Sequence, residues 1–237
     1  MTKIAEAFGD EIGKARGGKR GDQTGREIRV TDWYKRDGGW SVYIECTDPL
    51  LAEAAAYNAQ LIAEDSSFGY NQDERWTGYE EIIRGGSIDE ADAGDFDCSS
   101  LCIAAYILAG LDMKPEGYTG NLERLFLETG KFKSYEDSAH LNSSNLAKRG
   151  GMYLEPKKHV LMMLEDGEGS TETPQTTSGT RVYAKGSVRV RKAPIDGKTL
   201  TTLHKGESLP YISEWYAVEY NGETAYISAN KKYTEVK

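Results

Sequence analysis

The sequence predicts a mixed α+β domain followed by a small all-β barrel. Two segments with helical patterns, 48–64 and 94–110, lie among short extended segments in the first part of the chain. Residues 165–180 contain no large apolar side chain and are rich in Gly, Ser, Thr and Glu, as in a linker. Beyond them the pattern is one of short strands only. We therefore predict a catalytic domain at 1–165, a linker at 166–180 and a β-domain at 181–237.

The elements of the front domain follow from local signals. Residues 26–30 and 40–45 read as short extended segments. A helix is predicted over 48–64, where Asp48 can cap it, a proline occupies its first turn and alanines fill it. Residues 94–110 carry apolar side chains at helical spacing and end on Gly110, a residue suited to a helix stop. A further helix is predicted over 121–129 and two strands over 152–154 and 159–164.

The tail alternates apolar and polar residues, as strands with one buried face do. Strands are predicted at 187–191, 200–203 and 208–212. Two more runs, 216–220 and 223–228, flank Asn221-Gly222, which is a strong signal for a tight hairpin. About 57 residues built in this way are typical of a small barrel.

Charge and hydropathy exclude several classes of partner. The chain carries a net charge of −9, with 10 basic and 6 acidic residues from Arg181 onward and 19 basic and 32 acidic residues before it. An acidic body argues against nucleic acid as a partner, while a tail at +4 fits a polyanionic surface. No apolar run is long enough for a membrane helix, and residues 1–13 lack a signal-peptide pattern. We expect the protein to be a monomer that is synthesised in the cytoplasm and acts outside it.

One cysteine has the surroundings of a nucleophile. Cys98 lies at the predicted start of the 94–110 helix, where free N–H groups and the helix dipole favour a thiolate and lower its pKa. The three cysteines form no disulfide framework, and Cys102 is expected to be core. His159 opens an apolar strand, whereas His140 lies in a predicted loop and His204 in the tail. Cys98 and His159 are therefore the predicted catalytic pair, with no cofactor and no metal.

These residues resemble a known family. Asp97-Cys98-Ser99-Ser100 at a helix start, followed by His159 at a strand start, resembles the NlpC-type papain-like cysteine peptidases, in the form found in phage endolysins. The resemblance implies a papain-like α+β fold and a substrate site formed by Tyr70, Asp97 and Ser99. It implies that Asp97 binds a free amine of a peptidoglycan stem peptide. It also implies a third polar residue after the base, for which Glu172 is the candidate, unless another residue orients the imidazole or the unit is a dyad.

The tail is similar to a bacterial SH3-like domain in residues 187–194, 203–207 and 215–227. Such domains bind wall peptides or anionic wall polymers. The two resemblances together imply a peptidoglycan hydrolase that acts on the bacterial cell wall and cuts amide bonds with Cys98 and His159. Three alternatives stay open. They are N-acetylmuramoyl-L-alanine amidase activity at the same site, a transpeptidase or acyltransferase using the same thiol, and a non-catalytic wall-binding protein.

Overall fold

A computed structural model describes residues 2–169, 181–191, 199–206, 208–210, 217–220, 223–227 and 234–236. The chain divides into two compact units, residues 1–170 and 171–237. The predicted linker falls largely outside the described residues. No helix in the described part is long and apolar enough to cross a membrane.

The first unit is built on a six-stranded antiparallel sheet. Its strands are β1 (Lys3–Ala7), β2 (Ile28–Asp32), β3 (Val42–Cys46), β6 (Phe132–Tyr135), β7 (Met152–Glu155) and β8 (His159–Met163), in the spatial order β2-β1-β8-β7-β3-β6. A separate parallel pair joins β4 (Phe68–Tyr70) to β5 (Gly94–Phe96). The sequence predicted four of the six sheet strands in outline, while β1 and β6 were missed.

Five helices complete this unit: α1 (Pro49–Glu64), α2 (Thr77–Gly85), α3 (Cys98–Leu108), α4 (Leu122–Glu128) and α5 (Ser138–Leu141). Asp48 caps α1 by accepting a hydrogen bond from the Leu51 amide, as predicted. The predicted 94–110 helix was too long at its start, because Gly94–Phe96 pair with β4 as a strand before the chain enters α3. Residues 138–141, predicted as a loop, form α5 because the side chain of Asp137 caps the amides of Ala139 and His140.

Two apolar layers cover the two faces of the large sheet. On one face, α1 and α3 pack against Ala5, Ile44 and Val160, and every residue of α3 from Cys98 to Tyr106 is buried. On the other face, aromatic side chains form a second cluster that includes Trp40, Tyr43 and Tyr153. Trp40 is buried in this cluster, and Trp33 packs against it. Residues that alternate along β1 and β8 therefore face different layers.

The described residues of the second unit form seven strands: β9 (Arg181–Ala184), β10 (Val188–Arg191), β11 (Thr199–Leu203), β12 (Ser208–Pro210), β13 (Ala217–Tyr220), β14 (Glu223–Ile227) and β15 (Thr234–Val236). They form a four-stranded sheet, β11-β10-β14-β13, and a three-stranded sheet, β12-β9-β15. Val182, Val190, Val218 and Ala225 form its core. Within the described residues the two sheets do not close into one barrel. The hairpin residues 221–222 lie outside that part.

Candidate active site

The tip of α3 is held by a dense set of hydrogen bonds. Asp97 is the N-cap residue, and its Oδ1 accepts from the Ser100 amide and from the Ser99 hydroxyl, both at 2.7 Å. Ser100 returns a hydrogen bond from the Asp97 amide to its own hydroxyl at 2.8 Å, which completes a capping box. Cys98 is the first residue of the helix. The local sequence thus fixes the position of the sulfur through its two polar neighbours.

Burial dominates the electrostatics of Cys98. The thiol is 5% exposed, and this desolvation, followed by the negative charge of Asp97, raises the pKa of Cys98 to about 12. The amides of Val160, Ser99 and Cys98 itself favour the thiolate but do not outweigh burial. The expectation of a lowered pKa was therefore wrong. The helix tip does act on the thiolate through its N–H groups, yet the cost of removing a charge from water is larger.

His159 is paired with a buried carboxylate that the sequence did not reveal. Its Nε2 lies 2.9 Å from Oε2 of Glu6, a residue of β1 that is 0% exposed. β1 and β8 are antiparallel neighbours, with Ala5 opposite Met162, so the two side chains project from adjacent strands. The polar partner of the imidazole thus comes from β1, not from the residues after His159 where a third site residue was expected. The earlier candidate, Glu172, lies outside the described residues.

Glu6 stays ionised although it is buried. Burial alone would raise the pKa of Glu6, but hydrogen bonds from His159, Tyr34 and Arg29 hold it below its ordinary value. Arg29 donates to Oε1 through Nε and Nη2 at 2.9 and 2.7 Å, and the Tyr34 hydroxyl donates to Oε2 at 2.8 Å. An ionised carboxylate can only accept, so Nε2 of His159 carries the proton. In the neutral form of the imidazole, Nδ1 is then the nitrogen that can accept a proton.

Aromatic rings enclose this imidazole. Trp40 stacks on His159 with ring centroids 6.1 Å apart and an interplanar angle of 29°. Phe8 approaches its edge at 6.3 Å, and the Arg29 guanidinium lies 4.2 Å above the Phe8 ring. The His159 side chain keeps only 12% exposure. These rings restrict rotation of the imidazole and exclude water from its bond to Glu6.

Cys98 reaches the strand that carries His159. The backbone amide of Val160, the residue after His159, lies close enough to the Cys98 sulfur to lower the pKa of that thiol in part. The side chain of Val160 faces α3, whereas the imidazole contacts Glu6 and Trp40. The sulfur therefore lies near the main chain at the start of β8. Successive residues of a strand face opposite sides of the sheet, so the His159 imidazole lies on the aromatic face and the Cys98 sulfur on the α3 face. Among the described residues no hydrogen bond joins the two side chains.

Tyr70 lies near enough to Cys98 for a thiolate there to act on its hydroxyl electrostatically. Burial, followed by the charge of a Cys98 thiolate, raises the pKa of Tyr70 to about 12. Gln72 Nε2 donates to the Tyr70 hydroxyl at 3.2 Å. Gln72 also lines an open cavity of about 630 Å³. The other residues of its wall are Arg16, Arg20, Asp73, Glu74, Arg75, Trp76, Thr77 and Glu80.

Asp97 has a second partner at the mouth of this site. Its Oδ2 accepts a hydrogen bond from Nη1 of Arg75 at 3.1 Å, and the Arg75 side chain is 31% exposed. Ser99 is 1% exposed, and its hydroxyl donates to Asp97, so this hydroxyl stabilises the start of α3. Arg75, like Glu6, was not predicted as a site residue.

The remaining candidates lie elsewhere. Cys102 is fully buried, in agreement with a core role. His140 bonds to Asp137 through Nδ1 at 2.7 Å and stacks against both Tyr43 and Tyr135. His204 belongs to the second unit. Among the histidines of the first unit, His159 has the buried carboxylate partner.

One sequence signal could have pointed to Glu6. It is the single acid in the run Ile4-Ala5-Glu6-Ala7, whose residues are all buried in the structure. A lone carboxylate in a short apolar strand requires a paired partner. Arg29 and Tyr34 carry no comparable signal, because surface arginines and tyrosines are ordinary in extended segments.

Among comparisons with known proteins, one family model matches the first unit. No curated protein and no solved structure matches the chain. A family model described as an endolysin-like domain matches residues 4–170, a segment that contains Glu6, Cys98 and His159. Because that segment is more than half of the 237 residues, the chain belongs to the endolysin-like domain family.

Proposed function

We propose that the chain is a peptidoglycan hydrolase that cleaves an amide bond of the wall stem peptides with Cys98 as nucleophile and His159 as base. The observation that carries the proposal is the buried, ionised Glu6 bonded to His159 at 2.9 Å, on the strand whose next residue, Val160, packs in the same apolar cluster as Cys98. Acyl transfer through a thioester requires a thiol and a base, and a carboxylate bonded to the base holds it in one orientation. Membership of an endolysin-like family supports the wall as the substrate.

The raised pKa of Cys98 favours general-base activation over a resting ion pair. His159 takes the thiol proton on Nδ1 as the sulfur attacks the amide carbonyl carbon. The N–H groups of Cys98 and Ser99 at the helix start stabilise the oxyanion. The imidazolium, stabilised by Glu6, then gives its proton to the leaving amine, and a thioester remains. Water, deprotonated by His159, hydrolyses that thioester and regenerates the thiol.

We assign a supporting role to the remaining groups. Tyr70 contributes a hydroxyl beside the sulfur and holds the substrate carbonyl region near it. The papain-like fold and the SH3-like nature of the tail are part of the same proposal. In that proposal, the basic tail binds wall peptides or anionic wall polymers.

The test is digestion of purified peptidoglycan with mass analysis of the products. Cys98→Ala is expected to abolish product formation while the thermal unfolding temperature stays close to that of the wild type. Cys46→Ala is the matched control, because Cys46 is also a buried free cysteine but lies at the end of β3. New amino termini within stem peptides identify a peptidase, and free stem peptides with intact muramic acid identify an amidase. Undiminished digestion by folded Cys98→Ala would reject the proposal.

A further inference from the structure

Both oxygens of the Asp97 carboxylate are engaged within the protein. Oδ1 accepts from the Ser100 amide and the Ser99 hydroxyl, and Oδ2 accepts from Arg75. The residue is 4% exposed. A substrate ammonium group could reach Oδ2 only beside the guanidinium, where two like charges would repel each other. The role implied for Asp97 by resemblance, binding of a free amine, therefore conflicts with its contacts.

Arg75 is the charge that this region presents to a ligand. It gives one hydrogen bond to Asp97, and a guanidinium has five N–H donors in a fixed plane. Its side chain is 31% exposed and lines the cavity that also contains Gln72. Gln72 in turn is bonded to the Tyr70 hydroxyl beside Cys98. The cavity wall is thus continuous, through two side chains, with the nucleophile.

The other charges of this cavity are arranged differently. Arg16 pairs with Asp73 at 2.9 Å and Arg20 pairs with Glu74 at 3.3 Å. These pairs join exposed residues of the cavity wall to one another, and Glu80 is exposed on α2. The Arg75 pair, by contrast, involves the residue that precedes the nucleophile. Arg75 therefore determines the charge that a substrate meets there.

We propose that Arg75 is a specificity-determining residue that makes the enzyme prefer stem peptides whose amino end is acylated over those with a free ammonium group. The inference rests on the proposed function and names its substrate class. An acylated amino end carries no charge and can accept hydrogen bonds from the guanidinium through its carbonyl oxygen. A free ammonium group can only donate, and it competes with Arg75 for the Asp97 carboxylate.

The experiment compares kcat/KM for two stem peptides, one still attached to its muramic acid and one with a free amino end. We expect the wild type to prefer the acylated peptide by about tenfold or more, since one charge repulsion is lost. Arg75→Gln removes the guanidinium from Asp97 and should raise kcat/KM on the free-amine peptide by about tenfold. The ratio of the two kcat/KM values, acylated over free amine, should therefore fall. Arg75→Lys, which keeps the charge, should retain most of the preference.

Arg16→Gln is the matched control, because it removes a charge from the same cavity without touching Asp97, and its ratio should equal that of the wild type. Equal rates on both peptides, or a preference of the wild type for the free amine, would overturn the inference. An unchanged kcat/KM ratio in folded Arg75→Gln would also overturn the inference, and so would release of intact stem peptide from muramic acid. If Arg75→Gln does not fold, the kcat/KM ratio of the wild type alone tests the inference. Failure of the wild type to digest whole peptidoglycan would instead refute the proposed function.

Discussion

Replacing Glu6 with glutamine keeps the shape of the side chain but changes which of the atoms that hydrogen-bond around His159 carry a proton. Glu6 accepts two hydrogen bonds from Arg29 on Oε1 and one each from Tyr34 and His159 on Oε2. The arrangement that best preserves these bonds keeps the amide oxygen on Arg29 and points the amide NH₂ at Tyr34 and His159. The Tyr34 hydroxyl can turn to accept. His159 can accept only by moving its proton to Nδ1, which is the atom required to deprotonate Cys98.

The expected magnitudes follow from that rearrangement. A wrong imidazole tautomer costs roughly 10⁴-fold in kcat where a buried carboxylate is the orienting group. The charge-assisted character of the Arg29 and His159 bonds is also lost. Hydrogen bonds to charged groups contribute about 1.5–3 kcal/mol each, and the 31% exposure of Arg29 reduces its share. We therefore expect a loss of about 2 kcal/mol in the free energy of unfolding and a much larger loss of activity.

The assay pairs kcat/KM on solubilised peptidoglycan with urea unfolding of the same samples. Glu155→Gln is the control, because Glu155 lies opposite His159 in the β7–β8 register but bonds to Ser41 and Lys158. Its activity should remain within about twofold of the wild type, as is usual for surface changes. Glu6→Gln with wild-type activity, in a protein that is folded, would refute the orienting role of Glu6.

Three further predictions concern pH, reactivity and stability. The folded-state pKa of Glu6 lies below the ordinary value of 4.5, so its stabilising contribution is present above pH 4.5 and is lost as the pH falls through the lowered value. The thermal unfolding temperature should therefore fall more steeply below pH 4.5 in the wild type than in Glu6→Gln. Because burial raises the pKa of Cys98 to about 12, iodoacetamide should label it slowly at neutral pH and progressively faster up to pH 10, as followed by mass spectrometry; a plateau near pH 7 would show a preformed thiolate instead. Tyr106→Phe removes a buried 2.7 Å hydrogen bond to the Gly150 carbonyl and should lower the free energy of unfolding by about 1–3 kcal/mol in urea titration, while Cys98 keeps its labelling rate.

The parts of the fold that depend on neighbouring residues could be predicted from the sequence. The Asp48 cap of α1 and the placement of Cys98 at the start of α3 each rest on residues within a few positions of one another. The start of α3 was misjudged because Gly94–Phe96 become a strand only by pairing with β4, which is 26 residues away in register. The barrel prediction for the tail is not confirmed by the described strands.

The parts of the site that depend on distant residues could not be predicted. Glu6 and His159 are 153 residues apart in the chain, and nothing local links them. The pKa of Cys98 was expected to fall because the helix tip is visible in the sequence, whereas the burial that raises it depends on packing against β8. Arg75 meets Asp97 across 22 residues that include α2 and β5. Local pattern thus pointed to the proposed nucleophile and base, whereas Glu6 and Arg75 become their neighbours only through the tertiary fold.

The pairing of β1 with β8 has a consequence for how activity arises during synthesis. β1 is synthesised well before its partner strand β8, which ends at Met163, near the close of the first unit. A partly synthesised chain can form the capped α3 with its thiol but has neither the imidazole nor a stable place for the first strand. Hydrolytic competence should therefore appear in a single late step, when the two ends of this unit join, and incomplete chains should be inert toward the wall of the cell that makes them.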